Sequence, residues 1–463
     1  MPTTFTTGTA RGKLPLLGHM WPLMRAPIDF IASNSNRGDL IEIWLGPTRA
    51  YLPCHPDLIR QVLTDDRTFD KGGPFFDRAR AIAGNGLGTC PYQDHRRQRR
   101  LIQPAFHHTR LEQYAAVMER EISALADSWE DGQVINAFPV FYDLAMRISI
   151  NSLFAGLVGK IDIADFRASF DIVLHDIVKK MFLPKVLDRL PTPANRRYHR
   201  ALEHLNHAVA RIIADYRQSG ADRGDLMSIL IASPEAGEGT GLSDAEVHDQ
   251  VLTLLLTSTE TVPACLAWAL YLLSRHPDIA RRLHDEVDAV IGGRATRWGD
   301  VQHLPYTRRV IAETLRLYPP AWIFTRLTTK ATELAGMHLP PGTTILYSPL
   351  AVQQREDTFP QPRRFDPDRW PANLTNALSR GGFVAFGSGA RKCIGDTYAM
   401  TELTLALATI ARHWEAECTA DTDTRPAPLA VVYQPRRLPL RLTRRTHQKR
   451  TDPSIVGTAQ APS

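Results

Sequence analysis

The residues best suited to chemistry lie in one glycine-rich run, Phe386-Gly387-Ser388-Gly389-Ala390-Arg391-Lys392-Cys393-Ile394-Gly395. An apolar helical pattern over residues 396–414 follows it. Cys393 is therefore expected just before a helix N-terminus, where orphan N–H groups and the helix dipole favour an anionic sulfur. Gly387, Gly389 and Gly395 permit unusual backbone angles and the close approach of a flat ligand. Arg391 brings a cation to the same place. A thiolate with an arginine and small neighbours suits an iron porphyrin that carries carboxylates. The alternative is a structural thiol buried in a turn.

A second polar group stands inside an apolar stretch. Residues 251–274 contain a single charge, Glu260, in the cluster Thr257-Ser258-Thr259-Glu260-Thr261. By length the stretch can cross a bilayer. An acid at the midplane costs about 3 kcal/mol, however, and the hydroxyls add to that. A long helix buried through the centre of a soluble domain fits better, and the cluster becomes a functional candidate. Pro263 removes one helix hydrogen bond near Thr259. Farther along, Glu313 and Arg316 lie three apart on one helix face and can pair, although such pairs are also common on solvated helices.

These groups need a large scaffold. The 463 residues suggest about three domains on length alone, yet no linker, repeat or composition shift divides them. Hydrophobic residues are 43% and charged residues 22%, an ordinary globular balance that excludes disordered, collagen-like and coiled-coil chains. The five cysteines are scattered with no C-x-x-C, against a disulfide framework or a structural zinc site. A net charge of +6 is too modest for a nucleic-acid-binding stripe. The N-terminal residues lack the apolar run of a signal peptide, so a cytoplasmic protein without a membrane anchor is expected. Helical periodicity dominates residues 111–317. A hairpin is expected from residues 40–44 and 49–52 around Gly46-Pro47, with short strands at 343–347 and 438–442. Residues 356–373 read as a packed, irregular loop. The fold class is mainly α with small β-sheets (α+β).

Phe-x-x-Gly-x-Arg-x-Cys-x-Gly, as it stands at residues 386–395, resembles the haem-binding loop of the cytochrome P-450 family at every fixed position. Glu313-Thr314-Leu315-Arg316 resembles that family's E-x-x-R, and Phe365-Asp366-Pro367-Asp368-Arg369-Trp370 the segment whose arginine completes a Glu–Arg–Arg cluster. His95-Arg96-Arg97-Gln98-Arg99 resembles its propionate-binding helix. The resemblance covers about residues 12–445. It implies the triangular helical haem domain with a long central helix, one domain over 1–445 and a polar, disordered tail over 446–463. It implies haem b with Cys393 as axial metal ligand, and Phe386, Gly389, Arg391 and Gly395 as cofactor-binding residues of the loop. His95, Arg99 and Arg326 would hold the propionates, with guanidinium suited to carboxylate. Glu313, Arg316 and Arg369 would lock the loop structurally. Glu260 and Thr261 would relay protons while dioxygen is cleaved. The usual glycine is here Ser258 and the usual second threonine Val262.

The same resemblance implies a monooxygenase that places one oxygen atom from O2 in its substrate, with electrons drawn indirectly from NAD(P)H. A ferredoxin and its reductase would deliver them, the ferredoxin docking on Arg96, Arg97, Arg100 and Lys392. Phe75, Phe76, Leu87, Leu255, Thr257, Trp322, Ile323 and Phe324 would line the pocket, whose apolar character suggests a hydrophobic ligand. Gly84-Asn85-Gly86-Leu87-Gly88 reads as a flexible loop beside it. Residues 14–19, 102–107 and 190–197 are similar to soluble actinobacterial members that oxidise cyclised terpenes, so a terpenoid of secondary metabolism is expected, with a macrolide or fatty acid next. A peroxide-driven or isomerising haem-thiolate enzyme, a haem or lipid carrier, and a zinc hydrolase using His204 and His207 are the rivals. A monomer is expected, with no nucleic-acid partner.

Overall fold

Ser243 and Glu246 cap each other at the start of the longest helix. The Ser243 hydroxyl accepts the Glu246 N–H at 3.3 Å, and the Glu246 carboxylate accepts the Ser243 N–H at 2.9 Å. This capping box satisfies two orphan donors and launches Asp244–Arg275, a helix apolar on nearly every side. Such a helix belongs in a core. Its most apolar stretch is long enough for a bilayer, yet 78% of that stretch is buried within the protein. Three further helices pack along it: Ala137–Leu153, Pro305–Leu317 and Asp396–His413. The last of these begins three residues after Cys393, so the candidate thiol is carried on the same bundle as Glu260.

The computed structural model describes residues 4–154, 163–181, 185–220, 222–232, 241–374, 382–428 and 430–446. The tail at 447–463 lies outside the described residues. A mixed six-stranded sheet flanks the bundle, in the spatial order Thr7–Thr9, Leu40–Leu45, Thr48–Pro53, Thr344–Tyr347, Phe324–Thr328, Phe69–Asp70. Its hairpin pairs Leu45 with Thr48 across Gly46-Pro47, where Gly46 takes φ +61°, a conformation that favours glycine. The late strand Pro439–Arg444 lies between Trp414–Cys418 and Val134–Asn136. The segment at 356–373 packs onto Pro305–Leu317 and contains a short 3-10 turn, Pro367–Arg369.

The long helix runs unbroken past Pro263. The hydroxyls of Thr257, Ser258, Thr259 and Thr261 all bond to carbonyls of the preceding turn. One local expectation needs correction: the glycine loop at 84–88 is not flexible. Asn85 N–H donates to Asp249 (2.7 Å) and Leu87 N–H to Gln250 (2.8 Å). A Cβ on Gly86 would lie 2.1 Å from the Thr253 hydroxyl. These glycines let the loop press against the long helix, which makes it a rigid wall.

Candidate active site

The Cys393 loop is a tight turn closed by Cys393 N–H donating to the Phe386 carbonyl at 2.9 Å. Gly387 and Gly389 take φ +70° and +68°. At Gly389 the need for glycine is twofold, because a Cβ would also stand 2.5 Å from the Leu63 carbonyl oxygen. Gly395 differs from expectation: its φ is an ordinary −96°. Its N–H instead bonds the Cys393 sulfur. Cys393 is exposed along one side although protein surrounds it, and that crowding pushes the thiol up to about 11, against the pull of the Gly395 N–H, Arg99 and Lys392. A thiolate there needs a stabiliser beyond the helix terminus, which ligation of a metal would supply.

Cations gather beside the sulfur. His95 is 4% exposed. Burial first, then Arg391, Lys71, Arg99 and Arg326, push its imidazole down to about 3, so it stays neutral and can donate one N–H. Arg326 is 5% exposed and crosses the rings of Phe76 and Tyr347 at 5.5 and 5.8 Å. Its hydrogen bond goes to the Thr325 carbonyl at 3.2 Å, and among the described residues no carboxylate pairs with it. Lys71, which the sequence did not single out, donates to the carbonyls of Leu87 and Gly88 at 3.1 and 2.7 Å. Burial, then Arg391 and Arg326, hold its ammonium well below the usual range. A buried guanidinium without an acid partner is costly unless an anion joins it.

Two expected cations have other work. Arg391 is committed to Asp70 (2.7 Å), Asp66 (3.2 Å) and the Cys90 carbonyl (2.7 Å), so it ties the loop to the edge of the sheet. Arg99 donates to the carbonyls of Ala390 and Lys392, on the Cys393 loop itself. On the outer face Arg96 and Arg100 are exposed. Arg97 is instead bonded to Glu246 and to the Gly241 carbonyl, and Lys392 pairs with Asp396 at 2.6 Å. The basic docking face is thus smaller than the four residues proposed from sequence.

Glu313, Arg316 and Arg369 meet in the core. Glu313 and Arg316 are both fully buried, joined by two bonds of 2.8 Å, and Arg369 Nε reaches Glu313 at 2.9 Å. Glu313 also accepts the Trp370 indole N–H (2.9 Å) and the Asp366 N–H (3.1 Å). Arg316 spends its remaining donors on the carbonyls of Gln353, Pro362 and Arg364. One carboxylate therefore fixes the whole 353–370 segment, and Gln353 passes the constraint on by accepting the Val384 N–H at 2.9 Å, just before the Cys393 loop.

Glu260 is 8% exposed and lines a cavity of about 350 Å³ with Tyr142, Arg167, Asp171 and His175. Burial, reinforced by Asp171, pushes its carboxyl up to about 8. Thr261 is half-buried and donates to the Thr257 carbonyl at 3.0 Å. Of the expected pocket residues, Phe75, Phe76 and Phe324 form one aromatic cluster, with Phe75 edge-on to both others at 5.1 and 5.5 Å. Thr257 is exposed. Leu87 and Leu255 are buried in the main core, while Trp322 and Ile323 pack against a separate core with Trp268 and Leu346. Phe75 packs against the same main core as Leu87 and Leu255. Among the described residues no group of acid, histidine and cysteine side chains could hold a zinc ion, and His204 is instead bonded to Ser169 at 2.9 Å.

The family model for cytochrome P450 matches residues 10–441. The chain belongs to the cytochrome P450 family. Pentalenene oxygenase of Streptomyces avermitilis is 52% identical over 96% of this P450 and 98% of its own length. Cyclooctatin synthase of Streptomyces melanosporofaciens is 46% identical over 92% and 95%. Cyclooctat-9-en-7-ol 5-monooxygenase from that organism is 44% identical over 93% and 96%. The crystal structure of the cytochrome P450DA heme domain superposes with a TM-score of 0.83 at 23% identity, covering 96% of this chain and 99% of that one, and establishes the shared fold. This P450 is accordingly a haem-thiolate monooxygenase that uses O2 and NAD(P)H-derived electrons. The residues present fit the cofactor. A haem brings two carboxylates and needs a sulfur, and here an accessible thiol adjoins an acid-free Arg326, a neutral His95 and Lys71.

Proposed function

We propose that this P450 oxidises a cyclised terpenoid of secondary metabolism, working as a monomeric, cytoplasmic domain over residues 1–445 with a ferredoxin and its reductase. The observation that carries the substrate class is the aromatic wall Phe75–Phe76–Phe324. It abuts Arg326 at the cation cluster and offers a hydrocarbon apolar contact with few polar handles. The relatives' names, pentalenene oxygenase among them, point the same way.

When bound through Cys393, haem supplies the reductive activation of dioxygen. The chain's own residues then have separate tasks. His95, Arg326 and Lys71 bind the propionates. Arg99 and Arg391 hold the Cys393 loop, Phe386 and Gly389 shape it, and the Gly395 N–H bonds the sulfur. Glu313, Arg316 and Arg369 keep the segment below it in place. Glu260 carries a proton at neutral pH, because burial pushes its carboxyl up to about 8; after handing that proton on, the carboxylate is reprotonated from the polar cavity it shares with Asp171 and His175. The Thr261 hydroxyl donates to the Thr257 carbonyl, which leaves its oxygen lone pairs free to accept a hydrogen bond. Arg96 and Arg100 face an acidic ferredoxin. The test is turnover with ferredoxin, reductase and NADPH on pentalenene, cyclooctat-9-en-7-ol, a macrolide and a long-chain fatty acid. Oxidation of a terpenoid above the other two supports the reading. Preference for macrolide or fatty acid, or full activity with peroxide alone, overturns it.

A further inference from the structure

The helix Ala137–Leu153 packs along the long helix, and polar side chains on it reach both that helix and Asp396–His413. The Ser149 hydroxyl, fully buried, donates to the Ser258 hydroxyl at 2.8 Å. Ser258 in turn donates to the Leu255 carbonyl at 3.3 Å. On the other side Tyr398, 4% exposed, bonds the Ser152 hydroxyl at 2.8 Å. Ser152 gives its proton to the Ile148 carbonyl (2.7 Å), so Tyr398 is the donor. Tyr398 thereby ties the helix Ala137–Leu153 to the helix Asp396–His413. One turn beyond Tyr398 lies Glu402, 1% exposed, with neither carboxyl oxygen partnered among the described residues.

We propose that Ser149 and Ser258 form a hydroxyl strap that sets the position of the turn bearing Glu260 and Thr261, from a helix that Tyr398 anchors through Ser152. Of the four hydroxyls in that turn, those of Thr257, Thr259 and Thr261 bond within the helix; Ser258 is the one joined to a second helix. Hydroxyls bonded back to the preceding turn compete with its ladder and bend a helix. Such a turn, already short of a donor at Pro263, is held less firmly by its own backbone ladder. The strap adds a fixed point, on a helix that the Ser152–Tyr398 bond ties to the one following Cys393. Polar groups are costly in such a core unless satisfied, and the serines are satisfied by each other. Ser149 and Ser258 are positioning residues in this account, acting through Glu260 and Thr261, and the inference rests on the proton-relay reading of that pair.

The experiment uses haem-loaded Ser149→Ala, Ser258→Ala, the double variant and Ser258→Thr. Three readouts apply: amide hydrogen exchange over residues 255–262, the fraction of NADPH recovered as product rather than peroxide, and the reduced CO-bound spectrum. Each alanine variant is expected to speed exchange in that turn by up to about tenfold, the worth of one net hydrogen bond. Coupling should fall with it, while the spectrum stays that of the parent. The double variant should match the singles, because each removes the same interhelix bond, and Ser258→Thr should restore both readouts. Unchanged exchange in Ser258→Ala, or a double variant equal to the sum of the singles, overturns the strap. Thr261→Ala run alongside separates the two readings. If it stays fully coupled the relay reading fails, and the exchange data alone still decide the strap.

Discussion

Replacing Glu402 by glutamine should make this P450 more stable at alkaline pH and leave it unchanged in acid. Glu402 is 1% exposed, and burial pushes its carboxyl from 4.5 up to about 8. Below pH 4.5 the acid is neutral in both folded and unfolded chains and costs the fold no ionisation. As pH rises the unfolded chain releases the proton while the folded one retains it, so stability falls through that window and levels off above about 8. At about 1.4 kcal/mol per unit the accumulated loss is ~4 kcal/mol at pH 8, an order-of-magnitude figure. Glutamine keeps the shape and polarity of the neutral acid and removes the titration. Urea unfolding of the haem-loaded protein from pH 4 to 9, followed by circular dichroism, should give coincident curves for parent and variant near pH 4. At pH 8 the variant should be the more stable by a few kcal/mol. Parallel pH profiles would refute the reasoning, because they would mean that Glu402 is ionised and partnered in the fold.

Glu313→Gln should cost roughly 3–5 kcal/mol, because it leaves the fully buried Arg316 guanidinium without its anion; a urea midpoint within error of the parent would contradict this. Arg326→Leu should leave the fold intact and speed haem transfer to an acceptor protein, about tenfold or more for the loss of a charge-assisted bond. Arg96→Glu with Arg100→Glu should slow reduction by ferredoxin and flatten its salt dependence, whereas Arg97→Glu should act chiefly on stability through the lost Glu246 pair. Stopped-flow reduction against ionic strength separates the two.

What could be read from the sequence is what local spacing encodes. The Cys393 loop, the i,i+3 pair of Glu313 and Arg316, and the acid in the apolar helix each announce themselves within ten residues. Groups assembled from distant parts of the chain do not. Lys71 reaches the carbonyls of Leu87 and Gly88 only because the 84–88 loop is pinned to Asp249 and Gln250. Arg391 was read as facing the cofactor, and nothing in its neighbours foretold Asp66 and Asp70. Trp370 follows Arg369 in the expected motif, but its indole bond to Glu313 depends on how residues 353–370 fold back. The Ser149–Ser258 contact joins residues 109 apart, each unremarkable in its own helix. The apolar pocket was the least legible part, since a buried leucine such as Leu255 has the same pattern whether it meets a ligand or the core.

The central claim is that Cys393 ligates the haem iron as a thiolate. The reduced, CO-bound absorption spectrum tests it most directly, in the parent and in Cys393→Ala. The parent should give the red-shifted Soret band of a thiolate-ligated ferrous–CO haem, and the variant should lose it while staying folded. A folded parent without that band, or a variant that keeps it, would contradict the account.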